Sequence, residues 1–450
     1  MSDMDAVLGA VEEDFEASVG RWMDLLRIPS VSTDPQHADD CRRAAQWLVD
    51  ELNGIGFEAQ ARDTKGHPMV TAHAGAADVQ SPRVLFYGHY DVQPADPLDK
   101  WTTPPFEPVR RKDSDGVERI YARGAADDKG QLMTFVEAAR AWVKVHGRLP
   151  VQVTVLFEGE EECGSPNLVP FLEAHRATLA NDVALVCDTN MWNAETPAIT
   201  TRLRGLVHDE VTIVGPSIDL HSGHYGGAAW NPIRILARIL ADIHDEQGRV
   251  TIPGFYDGVE DLPKAIAEQW SKLDFSEREF LGGVGLEVPA GEAGRSVLEQ
   301  IWARPTAEIN GIYGGYTGPG TKTVIPSRAS AKITCRLVGK QDPARIRDNF
   351  RAFVEARLPK GVTAEFSHTG GGSPAIEVDE TSPYLARAAG ALEAEFGRPT
   401  VLMGAGGSIP VVRSFKDLLG MDSLLVGFSL NDDAIHSPNE KYNLSSFHHG

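Results

Sequence analysis

The sequence predicts an α/β protein: a mixed, mostly parallel sheet flanked by helices, with a smaller α+β unit inserted into it. Three features lead to that class. Short β-branched, apolar runs alternate with helix-length amphipathic segments from the start of the chain to Cys187, the pattern of a sheet layered with crossover helices. The texture changes near Arg202, where a half-exposed strand, an apolar helix and a further strand–helix pair follow. From Ser382 onward the first texture resumes.

Each element has a local reason. Val7, Val11, Phe15, Val19, Trp22 and Leu26 recur at helical spacing, and Ile28-Pro29 ends the run. Residues 42–52 continue helically and stop at Asn53-Gly54. Residues 83–87 are a short apolar run ending at Gly88, expected as a buried strand. Helical spacing returns over 132–145, and two β-branched apolar strands are expected at 151–157 and 182–187. In the second texture, 207–214 alternates as a half-exposed strand and 232–243 is an apolar-periodic helix. A Gly/Pro-punctuated stretch over 253–321 precedes a strand at 331–338 and a helix at 343–358. Segments 382–396 and 424–429 belong to the first texture again. The expected division is 1–203 with 378–450 as one unit and 204–377 as the insertion.

Composition narrows the function. The 450 residues carry 43 Lys+Arg against 64 Asp+Glu, a net charge of −21. Such an excess argues against a nucleic-acid or anionic-membrane partner, because both require a basic face. No stretch approaches the ~18 consecutive apolar residues of a spanning helix. No secretory signal is read in the acidic N-terminal segment, and the four cysteines form no CxxC pair. Reduced thiols and a cytoplasmic location are therefore expected.

Five segments concentrate His, Asp and Glu at strand ends or loops: Gly88-His89-Tyr90-Asp91, residues 124–130 with Asp127-Asp128, residues 158–162 with Glu161-Glu162, Cys187-Asp188, and Ala434-Ile435-His436-Ser437-Pro438. The first, third and fourth directly follow an expected strand, so they can converge on one sheet edge, where ligands of such sheets gather. Carboxylates packed side by side oppose one another's ionisation, and divalent cations remove that conflict. Two imidazoles with several carboxylates and no thiolate suit zinc or manganese in a catalytic rather than a structural site. Singly, each segment has a plain alternative: a hydrogen-bonded pair at His89 and Asp91, an ordinary turn at Asp127-Asp128, a solvated acidic face at 158–162, a cap or turn at Asp188, a polar loop at His436. Together they point to a two-metal hydrolase.

Read in full, Gly88-His89-Tyr90-Asp91-Val92-Gln93-Pro94, Arg123-Gly124-Ala125-Ala126-Asp127-Asp128-Lys129-Gly130, Glu158-Gly159-Glu160-Glu161-Glu162-Cys163-Gly164-Ser165, Asp219-Leu220-His221-Ser222-Gly223 and Ala434-Ile435-His436-Ser437-Pro438-Asn439-Glu440 resemble the M20 metallopeptidases. Within that family the chain looks like the carnosinase-like cytosolic dipeptidases, a resemblance that Trp101 and Pro105-Phe106-Glu107-Pro108 also fit. The resemblance implies two divalent ions per subunit, zinc foremost and manganese or cobalt as alternatives, bridged by Asp127. His89 and Asp188 would complete one ion's ligands, Glu162 and His436 the other's. Asp91 would accept a hydrogen bond from His89 and fix its tautomer. Glu161 would be the general base acting on a metal-bridging water.

The inserted unit would serve as lid and dimerisation domain of a homodimer, with its His221 stabilising the oxyanion in the other subunit's site. His224 reads as an exposed neighbour. Arg336 would grip the substrate's terminal carboxylate, with Thr323 beside it and Gly407 and Ser408 donating from the Gly406-Gly407-Ser408-Ile409-Pro410 loop. The implied reaction is amide hydrolysis of dipeptides or short peptides with a free C-terminal carboxylate. One departure stands out: Gly404-Ala405 precede that loop where close relatives tend to carry Arg-Glu. The missing glutamate removes a partner for a substrate ammonium, so an N-acyl-amino-acid deacylase using the same metal site is the alternative. A non-catalytic descendant would have lost its base, bridge or oxyanion donor, but Glu161, Asp127 and His221 are all present.

Overall fold

The computed structural model describes residues 3–75, 81–367, 372–407 and 409–450, so Ser408 lies outside the described residues. The chain divides into two compact units, Met1–Thr201 with Val378–Leu402 and Val411–Gly450, and Arg202–Glu377 with Met403–Pro410. Met403–Pro410 thus belongs with the second unit rather than the first, because this stretch runs beside Arg204, whose amide donates to the Ala405 carbonyl at 3.4 Å.

In the first unit a twisted sheet runs in the order Glu58–Arg62, Met69–Ala74, Gln152–Glu158, Arg83–His89, Val183–Val186, Asp422–Leu425 and Ala198–Leu203. Its centre is parallel: Arg83–His89 pairs in parallel with both Gln152–Glu158 and Val183–Val186, and Asp422–Leu425 with Val183–Val186. Antiparallel strands close the margin at Glu58–Arg62 and Met69–Ala74. The central strands are buried along nearly their whole length, as the continuous Val/Leu/Phe runs require of a sheet covered on both faces. Helices Asp3–Leu26, Ala38–Ile55 and Lys129–His146 supply the cover, and Trp22, Leu48, Phe86 and Phe157 are wholly or almost wholly buried. Each such large side chain contributes on the order of 1.5–3 kcal/mol by leaving water. Helix Ala38–Ile55 stops at Gly56, whose φ of 111° is left-handed. A small sheet of Val109–Lys112, Glu118–Tyr121 and Lys441–Asn443 completes the unit.

The second unit is an antiparallel sheet in the order Thr306–Gly314, Arg328–Leu337, Gly205–Val214 and Thr363–Ser367. Gly205–Val214 alternates strictly between buried and half-buried positions. Its inner face packs with helices Pro232–Ala241 and Pro343–Glu355 around Val211, Ile213, Ile239, Ile333 and Phe350. Both helices begin with a side-chain cap and a proline: Asn231 accepts from the Ile233 amide, and Asp342 from the Ala344 and Arg345 amides. Among the described residues, no helix is long and apolar enough to cross a membrane.

Candidate metal centre

The first unit's parallel strands all end at one edge. His89 is the last residue of its strand and faces Glu158, the last of the neighbouring strand, across the ladder. Glu158 leads into the short 3-10 turn Glu161–Cys163, and Asp188 lies two residues beyond Val186. Asp127 sits just before helix Lys129–His146, and His436 comes from the segment that precedes strand Lys441–Asn443. Strand order thus brings His89, the Glu161–Glu162 turn and Asp188 to one edge, and the start of helix Lys129–His146 and the segment before Lys441–Asn443 bring Asp127 and His436 to them.

Asp127 is the hub. Its Oδ1 lies 3.1 Å from His89 Nε2 and its Oδ2 lies 2.9 Å from His436 Nε2. Glu162 Oε2 is 3.2 Å from His436 Nε2, and Asp188 Oδ2 is 3.9 Å from His89 Nε2. Two triads capable of holding a cation result, His89–Asp127–Asp188 and Asp127–Glu162–His436, and they share one carboxylate. The peptide bond between Asp127 and Asp128 is cis. Among the described residues one further trio of possible ligands, Glu395, His448 and His449, lies nearer the surface, where His448 pairs with Glu12 and His449 with Glu395.

A surrounding set of hydrogen bonds holds these side chains. His89 Nδ1 donates to the Asp91 carbonyl at 3.1 Å, while the Asp91 carboxylate stands farther off at 3.4 Å. That carboxylate instead accepts from the amides of Glu161 and Glu162, at 3.2 and 3.1 Å. Asp91 thus orients the imidazole through its backbone and anchors the Glu161–Glu162 turn through its side chain, a wider job than the sequence indicates. Gln93 Nε2 donates to Glu162 Oε2 at 2.8 Å. Asp128 Oδ2 accepts from the His89 amide at 3.0 Å; a Cβ on Gly88 would meet that oxygen at 2.9 Å, so only glycine lets the strand approach. Glu440, fully buried, accepts from the amides of Gly124, Ala126 and Asp127 and from Arg123 Nη1 at 2.8–3.1 Å. Ala434 and His436 have left-handed φ values of 57° and 59°, unfavourable for residues with a Cβ. The segment is tied down by Asn439, which accepts from Thr102 and donates to the Lys100 carbonyl. Glu440, Gln93 and Arg123 are the supporting residues that motif reading left without a role.

The electrostatics explain why such a cluster needs cations. Burial drives the Asp188 carboxyl well above the ordinary range, and Asp127, Glu161 and Glu162 add to it. Burial also lifts Glu161 to about 7, with Glu162, Asp127 and Asp91 pushing the same way. Hydrogen bonds to Asp127 and Glu162 raise His436 to about 10. His89 is likewise raised far above the ordinary value, its contacts with Asp127 and Asp91 outweighing its burial. Without metal, then, protons on both imidazoles hold the carboxylates together; divalent ions would replace those protons. Neutral imidazoles and carboxylates are the donors that hard and borderline divalent ions take, so the residues present fit such ions.

The second unit positions the other expected site residues. His221 ends strand Leu220–His221, which pairs with Val324–Ile325, and Ser222 donates its amide to the Thr323 carbonyl at 3.0 Å. His221 and Thr323 are therefore brought together. His221 Nδ1 accepts from the Gly223 amide at 3.0 Å, and the His224 ring stacks on it at a centroid distance of 4.5 Å, a contact that its exposure alone did not suggest. Arg336 lies within strand Arg328–Leu337, opposite Leu206 and Thr306. Gly407 follows strand Val401–Ala405.

A parallel-centred sheet bearing two triads that could each hold a cation, joined on a shared aspartate, is an arrangement suited to a metal-dependent hydrolase. The model of peptidase family M20/M25/M40 matches residues 85–450, and the chain belongs to that family, as a metallopeptidase. The Cys-Gly metallodipeptidase of Candida albicans is 31% identical over 99% of this chain and 95% of its own. The structure of human carnosine dipeptidase 1 superposes with a TM-score of 0.79 at 26% identity, covering 100% of this chain and 97% of that one. The M20 family metallo-carboxypeptidase of Sulfolobus solfataricus gives a TM-score of 0.79 at 29% identity, with 96% of each chain covered.

Proposed function

We propose that this protein hydrolyses the amide bond of dipeptides or short peptides that carry a free C-terminal carboxylate, using two divalent ions held by His89, Asp127, Asp188, Glu162 and His436. The observation that carries the reading is Asp127, whose two oxygens each face a different imidazole within a different triad. When bound, the ions supply charge that polarises a carbonyl and makes a water more acidic. Zinc is the first expectation, with manganese or cobalt as alternatives.

The chain's own groups do the rest. Among the described residues no donor holds the Glu161 carboxylate, whereas Asp91, Asp127 and Glu162 are each tied by hydrogen bonds. Glu161 is therefore free to take the proton of the attacking water and pass it to the leaving amine, and its raised pKa suits that exchange near neutrality. In His221 the ring nitrogen Nδ1 is occupied as an acceptor, so the neutral ring carries its proton on Nε2 and can donate to an oxyanion. Arg336 takes the substrate carboxylate, with Thr323, Gly407 and Ser408 assisting. A homodimer of cytoplasmic location fits this reading. Among the described residues the outer strand Thr306–Gly314 leaves one edge unpaired, and it exposes Ile312 and Tyr313 by 63% and 50%, a surface suited to a second copy.

Dipeptide cleavage is favoured by the names of the relatives, a Cys-Gly metallodipeptidase and a carnosine dipeptidase. One residue favours the second reading: Ala405 offers no charge to a substrate ammonium, which leaves N-acyl-amino acids open. Turnover of a panel of Xaa-Xaa dipeptides beside their N-acetyl-amino acid counterparts decides between them; a preference for acetyl substrates would overturn the dipeptidase reading. Glu161→Gln should abolish turnover with metal content unchanged, and an active variant would remove Glu161 as base.

A further inference from the structure

Arg204 lies one residue before strand Gly205–Val214, and Arg336 stands directly opposite Leu206 in that ladder. Side chains two apart along a strand share a face, so Arg204 and Arg336 are diagonal neighbours on the same face. Arg204 is partly buried, and among the described residues its bonds go to neutral carbonyls, Nε to Gly406 at 3.2 Å and Nη1 to Gln300 at 3.5 Å. A Cβ on Gly406 would meet Arg204 Nη2 at 3.1 Å, so the guanidinium lies close against the glycine turn. Arg336 is half-buried, and among the described residues no hydrogen bond or ion pair holds its guanidinium. Burial first, and then the charge of Arg336, bring Arg204 down to about 10, with Glu308 offsetting them. Two like charges with no carboxylate bonded to either among the described residues, inside a chain of net charge −21, are an arrangement that an incoming anion relieves.

Resting on the reading of Arg336 as a carboxylate-binding residue, we infer that Arg204 is the positioning residue of that subsite: it pins the Gly406–Gly407 turn by the Gly406 carbonyl and adds a second positive charge, so that the enzyme selects peptides ending in a free carboxylate over those ending in a neutral amide. The glycine turn then presents its amides to the same anion. Nothing in the chain's motifs singles out Arg204, because its partners lie at positions 300, 336 and 406.

The test compares kcat and KM for a dipeptide and its C-terminal amide in the holoenzyme, the wild type beside Arg204→Met, Arg204→Lys and Arg336→Met. Arg204→Met should cut the acid-over-amide preference roughly 10-fold or more through KM of the acid, the loss of one charge-assisted interaction. The lysine variant, which keeps charge but not the fork, should retain part of the preference. An Arg204→Met enzyme that loses both substrates equally, or keeps the full preference while Arg336→Met loses it, overturns the inference and leaves the reading of Arg336 intact. If Arg336→Met also keeps the preference, the carboxylate reading itself fails. Metal content and unfolding temperature of each variant separate these outcomes from misfolding.

Discussion

Replacing Glu440 by glutamine tests whether the Asp127 hub is held by a buried anion. The native carboxylate accepts four bonds, from the amides of Gly124, Ala126 and Asp127 and from Arg123, and both members of the ion pair are almost fully buried. A glutamine keeps one acceptor oxygen, but its amino group must face either Ala126 and Asp127 or Gly124 and Arg123, donor against donor. Two bonds to a charged acceptor are lost, at ~1.5–3 kcal/mol each, and Arg123 is left as a buried cation without its partner, which sets a total of roughly 3–5 kcal/mol. The unfolding temperature of the metal-loaded protein should fall by roughly 5–9 °C, and the affinity for metal should fall with it, because the segment that carries Asp127 loses its anchor. Exchanging both partners, Arg123→Met with Glu440→Leu, should cost less than the two single changes added together. Differential scanning calorimetry and metal titration supply both numbers. A glutamine variant within about 1 kcal/mol of wild type, with unchanged metal affinity, would refute the argument that this buried carboxylate positions Asp127.

Further expectations concern the ligands' surroundings. Loading the metal-free protein near pH 7.5 should release at least two protons per chain, since His89 and His436 both have raised pKa values and the Asp188 carboxyl is raised as well; calorimetry in buffers of different ionisation enthalpy reads this, and zero release contradicts it. Gln93→Leu should lower metal affinity or activity by roughly 10–100-fold by freeing Glu162, and an unaltered titration would show that the 2.8 Å bond is idle. Burial raises Glu158 from 4.5 to about 7 against the donation of Tyr87. The folded value exceeds the unfolded one, so this group's contribution is complete below pH ~4.5 and is lost as pH rises through 7. Glu158→Gln should therefore flatten the decline in stability of the chelated protein between pH 5 and 8, as urea unfolding would show; an unchanged slope argues against the assignment.

Much of this architecture is legible in the sequence, for reasons visible in particular elements. Strand Gln152–Glu158 is buried along almost its full length and carries the apolar, β-branched run Val153, Val155, Leu156 and Phe157, and helix Lys129–His146 is long and periodic. Strand Thr306–Gly314 is not legible, because as an exposed edge it needs no buried face and its Asn310-Gly311 break interrupts the alternation. The four-residue strands Val109–Lys112 and Glu118–Tyr121 are too short and too charged to stand out. At the centre, the ligand types are readable because they follow strands directly. Their supports are not, since Glu440 reaches the Asp127 amide across 313 positions and Thr102 reaches Asn439 across 337. Only the closed fold reveals that Asp91 anchors a turn with its carboxylate and an imidazole with its carbonyl.

The central claim is that one aspartate serves two cations. Elemental analysis of the purified protein, repeated on single variants, tests it most directly. The wild type should hold two equivalents of divalent metal per chain, His89→Ala and His436→Ala about one each, and Asp127→Ala essentially none. A wild type with a single equivalent, or an Asp127→Ala protein that keeps a full equivalent, would contradict the shared bridge.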